Sequence, residues 1–148
     1  MSRINKSVEH FNSGYNCSQS IVCTYCDLFG ISTEDGYKLS AGFGAGIGGM
    51  RAMCGAVSGM VILAGLKYGN YKPDDKESKT KFYTLVRLLN DKFLEKFGTT
   101  NCKELLASAG ISAETNPKER NEHYYKTKPC AKFVEQAALI VEEVLINA

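Results

Sequence analysis

A large excess of charge of one sign is lacking in this sequence. Its 148 residues hold 18 lysines and arginines against 16 acidic residues, a net charge of +2. The lysines are scattered and form no stripe, which excludes the basic surface that nucleic-acid binding needs. Histidine occurs only twice, as His10 and His123, and each reads as a surface residue rather than a ligand. Long apolar runs are missing too. The longest charge-free stretch lies between Arg51 and Lys67, short of the ~20 residues that a membrane-spanning helix needs, so it reads as a buried core helix. Met1-Ser2-Arg3-Ile4-Asn5-Lys6 has no apolar core and is not expected to act as an export signal. The expected location is therefore the cytoplasm. In that reducing setting, six cysteines speak for catalysis, redox chemistry or metal binding rather than a disulfide framework.

Alternation with period two is also absent, so no strand is expected. Apolar residues recur instead at helical spacing. The pattern predicts helices over Arg3–Asn12, Cys17–Phe29, a short segment after Ser32, Met50–Tyr68, Asp75–Phe97, Cys102–Ala107 and Pro129–Ile146. Leu85, Leu88, Leu89, Phe93 and Phe97 form the expected buried stripe of the longest helix. Ser112 to Lys128 is polar and reads as a loop. A chain of this length buries roughly 70% of its unfolded surface and needs no disulfide or metal on grounds of size. The expected fold is all-α, a single domain over residues 1–148, a bundle of about five to six helices with a glycine-rich loop.

That loop, Gly42 to Gly49 ("GFGAGIGG"), contains G-x-G-x-x-G at Gly44, Gly46 and Gly49. The dinucleotide fingerprint requires a preceding strand and an acidic residue about 20 positions on. Neither is present, so the glycines are read as allowing close backbone packing or positive φ before Cys54. Cys23-Thr24-Tyr25-Cys26 is a C-x-x-C without the histidine of a haem site and without a βαβ setting. At about 100° per residue, both cysteines point away from Cys17. They fit core filling and a second redox pair equally well.

Three other cysteines open helices. Asn16-Cys17-Ser18-Gln19 and Asn101-Cys102-Lys103-Glu104 have capping-box spacing, with asparagine as the cap. Pro129 before Cys130 suits a first helical turn. A helix N-terminus carries roughly +0.5 charge and unpaired N–H groups, which favour a thiolate. Cys17 and Cys102 are accordingly expected to ionise below the ordinary thiol range. Cys54 begins Cys54-Gly55-Ala56-Val57-Ser58-Gly59. Gly55 and Gly59 make a small-x-x-x-small face, suited to close approach of another helix and with it a second thiol, or to self-association.

Taken together, Cys17 in "GYNCSQS", Cys54 with Gly55, Ala56 and Gly59, Cys102 in "NCKELL" and Cys130 in "KPCAKFVEQAA" resemble the C_GCAxxG_C_C family of redox-active proteins. The resemblance covers nearly the whole chain and implies a small helical protein with redox-active cysteines, without implying a substrate, partner or reaction. Cys23 and Cys26 lie outside the four-cysteine pattern. Three readings follow for Cys17, Cys54, Cys102 and Cys130. They are catalytic thiols in thiol–disulfide or electron-transfer chemistry; or ligands of an iron–sulfur cluster or metal; or parts of a structural or partner-binding helical module. The four cysteines are expected to converge under the first two.

Overall fold

Asparagine, serine and aspartate side chains start most of the helices, and glycines end several of them. The computed structural model describes residues 2–111 and 129–147; the loop expected at Ser112–Lys128, and His123 within it, lie outside the described residues. Among these, seven helices occur, somewhat more than expected, and no strand. They are α1 (Ile4–Asn12), α2 (Cys17–Tyr25), α3 (Thr33–Ser40), α4 (Gly55–Tyr68), α5 (Lys76–Phe97), α6 (Cys102–Ser108) and α7 (Pro129–Val141). A 3₁₀ turn (Cys26–Phe29) prolongs α2, and a π turn (Glu142–Ile146) prolongs α7.

Asn16 and Gln19 form the expected capping box at α2: the Asn16 side chain accepts from the Gln19 N–H at 2.9 Å, and Gln19 Oε1 accepts from the Asn16 N–H at 3.2 Å. At α6 only half of the box forms. Asn101 accepts from the Glu104 N–H at 3.0 Å, but the Glu104 carboxylate turns to the Thr99 hydroxyl at 2.9 Å. Ser32 caps α3 through the Asp35 N–H, and Asp75 caps α5 through Ser78. Left-handed Gly30 and Gly98 stop the α2–3₁₀ unit and α5. Replacing Asn101 by alanine removes one cap and is expected to lower stability by about 1 kcal/mol, measurable by urea titration.

The core forms where α2, α4 and α7 meet, with Ile21, Val22, Val57, Met60, Val134 and Ala137 fully buried. α1 packs on α2 and α7, α3 covers α2, and α5 lies along α4 and α7. Buried Glu142 ties the N-terminal segment to this core, accepting from Tyr25 Oη at 2.5 Å and from the Arg3 N–H at 2.7 Å. The stripe predicted for α5 is narrower than expected. Leu89 and Phe93 are buried and Leu85 and Phe97 pack at the edge of the core, while Leu88 is exposed. On α7, Phe133, Ala137, Ile140 and Val141 are buried as expected, and Val144 follows in the π turn.

The largest departure from the sequence reading lies at residues 50–54. The predicted helix over Met50–Tyr68 starts only at Gly55. Ahead of it, Cys54 N–H donates to the Thr100 carbonyl at 2.8 Å and Cys102 N–H to the Ala52 carbonyl at 2.6 Å. Met53 and Asn101 form an isolated antiparallel bridge. The backbone groups that a helix would satisfy locally are here satisfied by a segment nearly 50 residues away.

Candidate functional site

The short antiparallel pairing just described fixes Cys54 at the head of α4 beside Cys102 at the head of α6. The CGAxxG glycines bring in the third cysteine. A Cβ built on Gly55 would stand 3.1 Å from the Ser18 nitrogen and 3.3 Å from Cys17 Cβ; one on Gly59 would stand 2.9 Å from Ile21 Cβ. These glycines let α4 cross directly over α2, so the head of α2 with Cys17 lies against the head of α4. The helix approached by the small-residue face belongs to the same chain, and it carries the thiol that the face was expected to admit.

Between α2 and α4 the glycine-rich segment turns sharply. Ala45, Gly46, Ile47, Gly48 and Gly49 all have positive φ. The turn closes through Arg51 N–H to the Ala45 carbonyl at 3.1 Å and Ala52 N–H to the Gly46 carbonyl at 2.9 Å. At Gly46 a side chain would meet the Ala52 nitrogen at 2.6 Å, so glycine is required there by space as well as by φ. Asn16 anchors the start of this segment by donating its side-chain N–H to the Ala41 carbonyl at 3.1 Å.

These elements enclose a cavity of about 570 Å³ whose wall includes Cys17, Cys54, Cys102, Cys130 and Arg51. The four thiols expected to converge thus line one cavity. Cys54 and Cys102 are buried, while Cys17 and Cys130 keep partial exposure. Cys23 and Cys26 do not line the cavity. None of the six cysteines is in a disulfide.

Cys130 is the sulfur to which the other three respond. Its hydrogen bond with Cys17 is the first cause that pushes the Cys17 thiol well above the ordinary range, followed by burial and by the other three sulfurs. Burial pushes Cys54 up to about 12, against the pull of the Ala56 and Val57 amides and with the help of Cys130 and Cys102. Those amides favour the anion although no capping hydrogen bond of full geometry forms at Cys54. Cys102 is also raised, first by burial, but the Arg51 guanidinium opposes this, with Nη1 donating to Cys102 Sγ at 3.6 Å.

The expectation that Cys17 and Cys102 ionise below the ordinary range is therefore corrected. Desolvation and the neighbouring sulfurs outweigh the helix dipole. A buried thiol with a raised pKa stabilises the fold fully below the unfolded thiol pKa, and that contribution fades as pH rises toward the folded value. With Cys54 and Cys23 both pushed up to about 12, stability should fall progressively above about pH 9. Chemical denaturation at pH 7, 9 and 10.5 measures this, and a flat profile would contradict the burial argument.

Sequence reasoning missed Arg51. The available signal was that Arg51 is the only charged residue between Lys38 and Lys67, next to the glycine turn. His10, read as a surface residue, is half-buried, with its Nδ1 3.0 Å from Thr24 Oγ1. Among the described residues, no three His, Cys, Asp or Glu side chains stand close enough to hold one metal ion, and no helix is long and apolar enough to cross a membrane.

No curated protein and no solved structure matches the chain. One family model does, over residues 15–144, under the description "Putative redox-active protein (C_GCAxxG_C_C)". That span holds all four cavity cysteines and the CGAxxG motif, and the chain belongs to this redox-active family.

Proposed function

We propose that the chain carries out two-electron thiol–disulfide exchange at this cavity, with Cys102 attacking and Cys130 resolving. The observation that carries the reading is the Arg51 guanidinium donating to Cys102 Sγ at 3.6 Å. That cation favours the Cys102 thiolate. As the thiolate, Cys102 displaces one sulfur of a substrate disulfide R–S–S–R, forming a mixed disulfide and releasing RS⁻. Cys130 then attacks the Cys102 sulfur, closes a Cys102–Cys130 disulfide and expels the second RS⁻. The two thiol protons leave on two RSH; the substrate gains two electrons and the protein loses two. Cys17, hydrogen-bonded to Cys130, is positioned to take over that disulfide and free Cys102 as a thiol. Cys54, buried at the head of α4 and held neutral by that burial, takes no part in the exchange.

The alternative is the ligand reading, in which the four cavity cysteines would have to draw closer together to hold an iron–sulfur cluster or metal. Protein purified without air separates the two. A colourless, iron-free protein whose cavity thiols lose two hydrogens on reaction with a small disulfide is the expected result. Visible charge-transfer bands with stoichiometric iron would overturn it in favour of ligation.

A further inference from the structure

The α2 helix carries sulfur at both ends, and the second end has a geometry of its own. Cys23 lies in the last turn of α2, and Cys26 opens the 3₁₀ turn that follows. Helical residues three positions apart are neighbours on the surface, which puts the two thiols of the C-x-x-C on one face. That face meets α3 at Gly36. A Cβ built there would lie 2.7 Å from Cys26 Sγ and 3.5 Å from Cys23 Sγ, so both sulfurs flank the same point. Gly36 sits inside α3, where glycine is disfavoured by about 1 kcal/mol relative to alanine; the room its missing side chain leaves is filled by Cys26 Sγ. Each thiol donates to a backbone carbonyl at the start of α3, Cys26 to Ser32 at 3.6 Å and Cys23 to Thr33 at 3.8 Å. Cys23 is 4% exposed and Cys26 fully buried.

We infer that Cys23 and Cys26 are a second dithiol that closes to a disulfide, a two-electron site separate from the four-cysteine cavity. The surroundings favour a disulfide over thiolate chemistry. The pair sits at the negative end of the α2 dipole and faces carbonyl acceptors, and at Cys26 burial outweighs the Cys26 and Asp27 amides that favour an anion. Burial first, and then the neighbouring sulfur, push Cys23 up to about 12. Ligation of a soft metal needs thiolates and is disfavoured there, whereas a disulfide is uncharged and suits a dry setting. The oxidant is a small disulfide R–S–S–R. Cys23, the less buried thiol, forms a mixed disulfide and releases RSH; Cys26 then displaces the second RSH from Cys23. Because the reacting thiolates are scarce and enclosed, closure is slow and the disulfide, once formed, persists. The inference does not depend on the chemistry of the cavity.

The test uses the full chain carrying Cys17→Ser, in which residues 7–38 form one tryptic peptide with Cys23 and Cys26 as its only cysteines. After long incubation of the folded protein with glutathione disulfide, that peptide should be lighter by two hydrogens. It should take an alkylating label only after reduction. Fragmentation of the same peptide from the unsubstituted chain places the bond independently of how Cys17→Ser folds. Two free, fully labelled thiols after exhaustive oxidation would overturn the inference, as would closure seen only in denaturant.

Discussion

Gly59→Val should be the most damaging single substitution in the cavity-forming helices. A Cβ at this position already approaches Ile21 Cβ to 2.9 Å and the Ser18 carbonyl oxygen to 3.2 Å, and valine adds two methyl groups beyond it. Overpacking of this kind costs about 3 kcal/mol, a fall in Tm of roughly 6–12 °C for a chain of this size. Chemistry should suffer along with stability, because prising α4 from α2 separates Cys54 from Cys17. Gly65, two turns further along α4, supplies the control. Its Cβ would meet only Phe82 Cζ, at 4.0 Å. Gly65→Ala should therefore be neutral or stabilise the helix by up to about 1 kcal/mol. Calorimetry of the two variants decides the matter, and equal losses would refute the crossing argument.

Removing the charge at Arg51 should have the largest effect on reactivity. In a chain whose only cavity cysteine is Cys102, Arg51→Leu leaves burial to act unopposed on the thiol. The pH at which alkylation sets in should rise by about one unit or more, a roughly tenfold slower reaction at neutral pH. Arg51→Lys should recover part of the rate, since it restores the cation without the planar guanidinium. Alkylation rates across pH 6–10 provide the reading. If leucine and arginine give the same profile, Cys102 is not the activated thiol.

Much of this architecture could be read from local chemistry. Asn16 with Gln19, Ser32 with Asp35, and the stopping glycines Gly30 and Gly98 are short-range signals, and the helices begin and end at them. The four cysteines were legible as a set through the CGAxxG motif and the cap residues. Arg51–Cys54 was not legible as a non-helical segment paired with a distant one. Four residues are too few to show alternation, and their hydrogen-bond partners at Thr100–Lys103 lie far along the chain. The exposure of Leu88 escaped for a related reason, since helical spacing marks a face without saying how wide the covering layer is. The ionisation of Cys17 was misjudged because its cap is local, whereas burial and the approach of Cys130 come from distant parts of the sequence.

The turn at residues 45–49 has a consequence for chirality. Five successive residues wind in the sense that L-amino acids avoid, and two of them, Ala45 and Ile47, bear side chains there. Such a conformation costs an L-residue roughly 1–2 kcal/mol, while for its mirror image it is the relaxed state. A chemically synthesised chain with D-alanine at position 45 would hold the same backbone with less strain. In that respect the wall of the cavity is a short piece of opposite-handed peptide set into an ordinary helical protein.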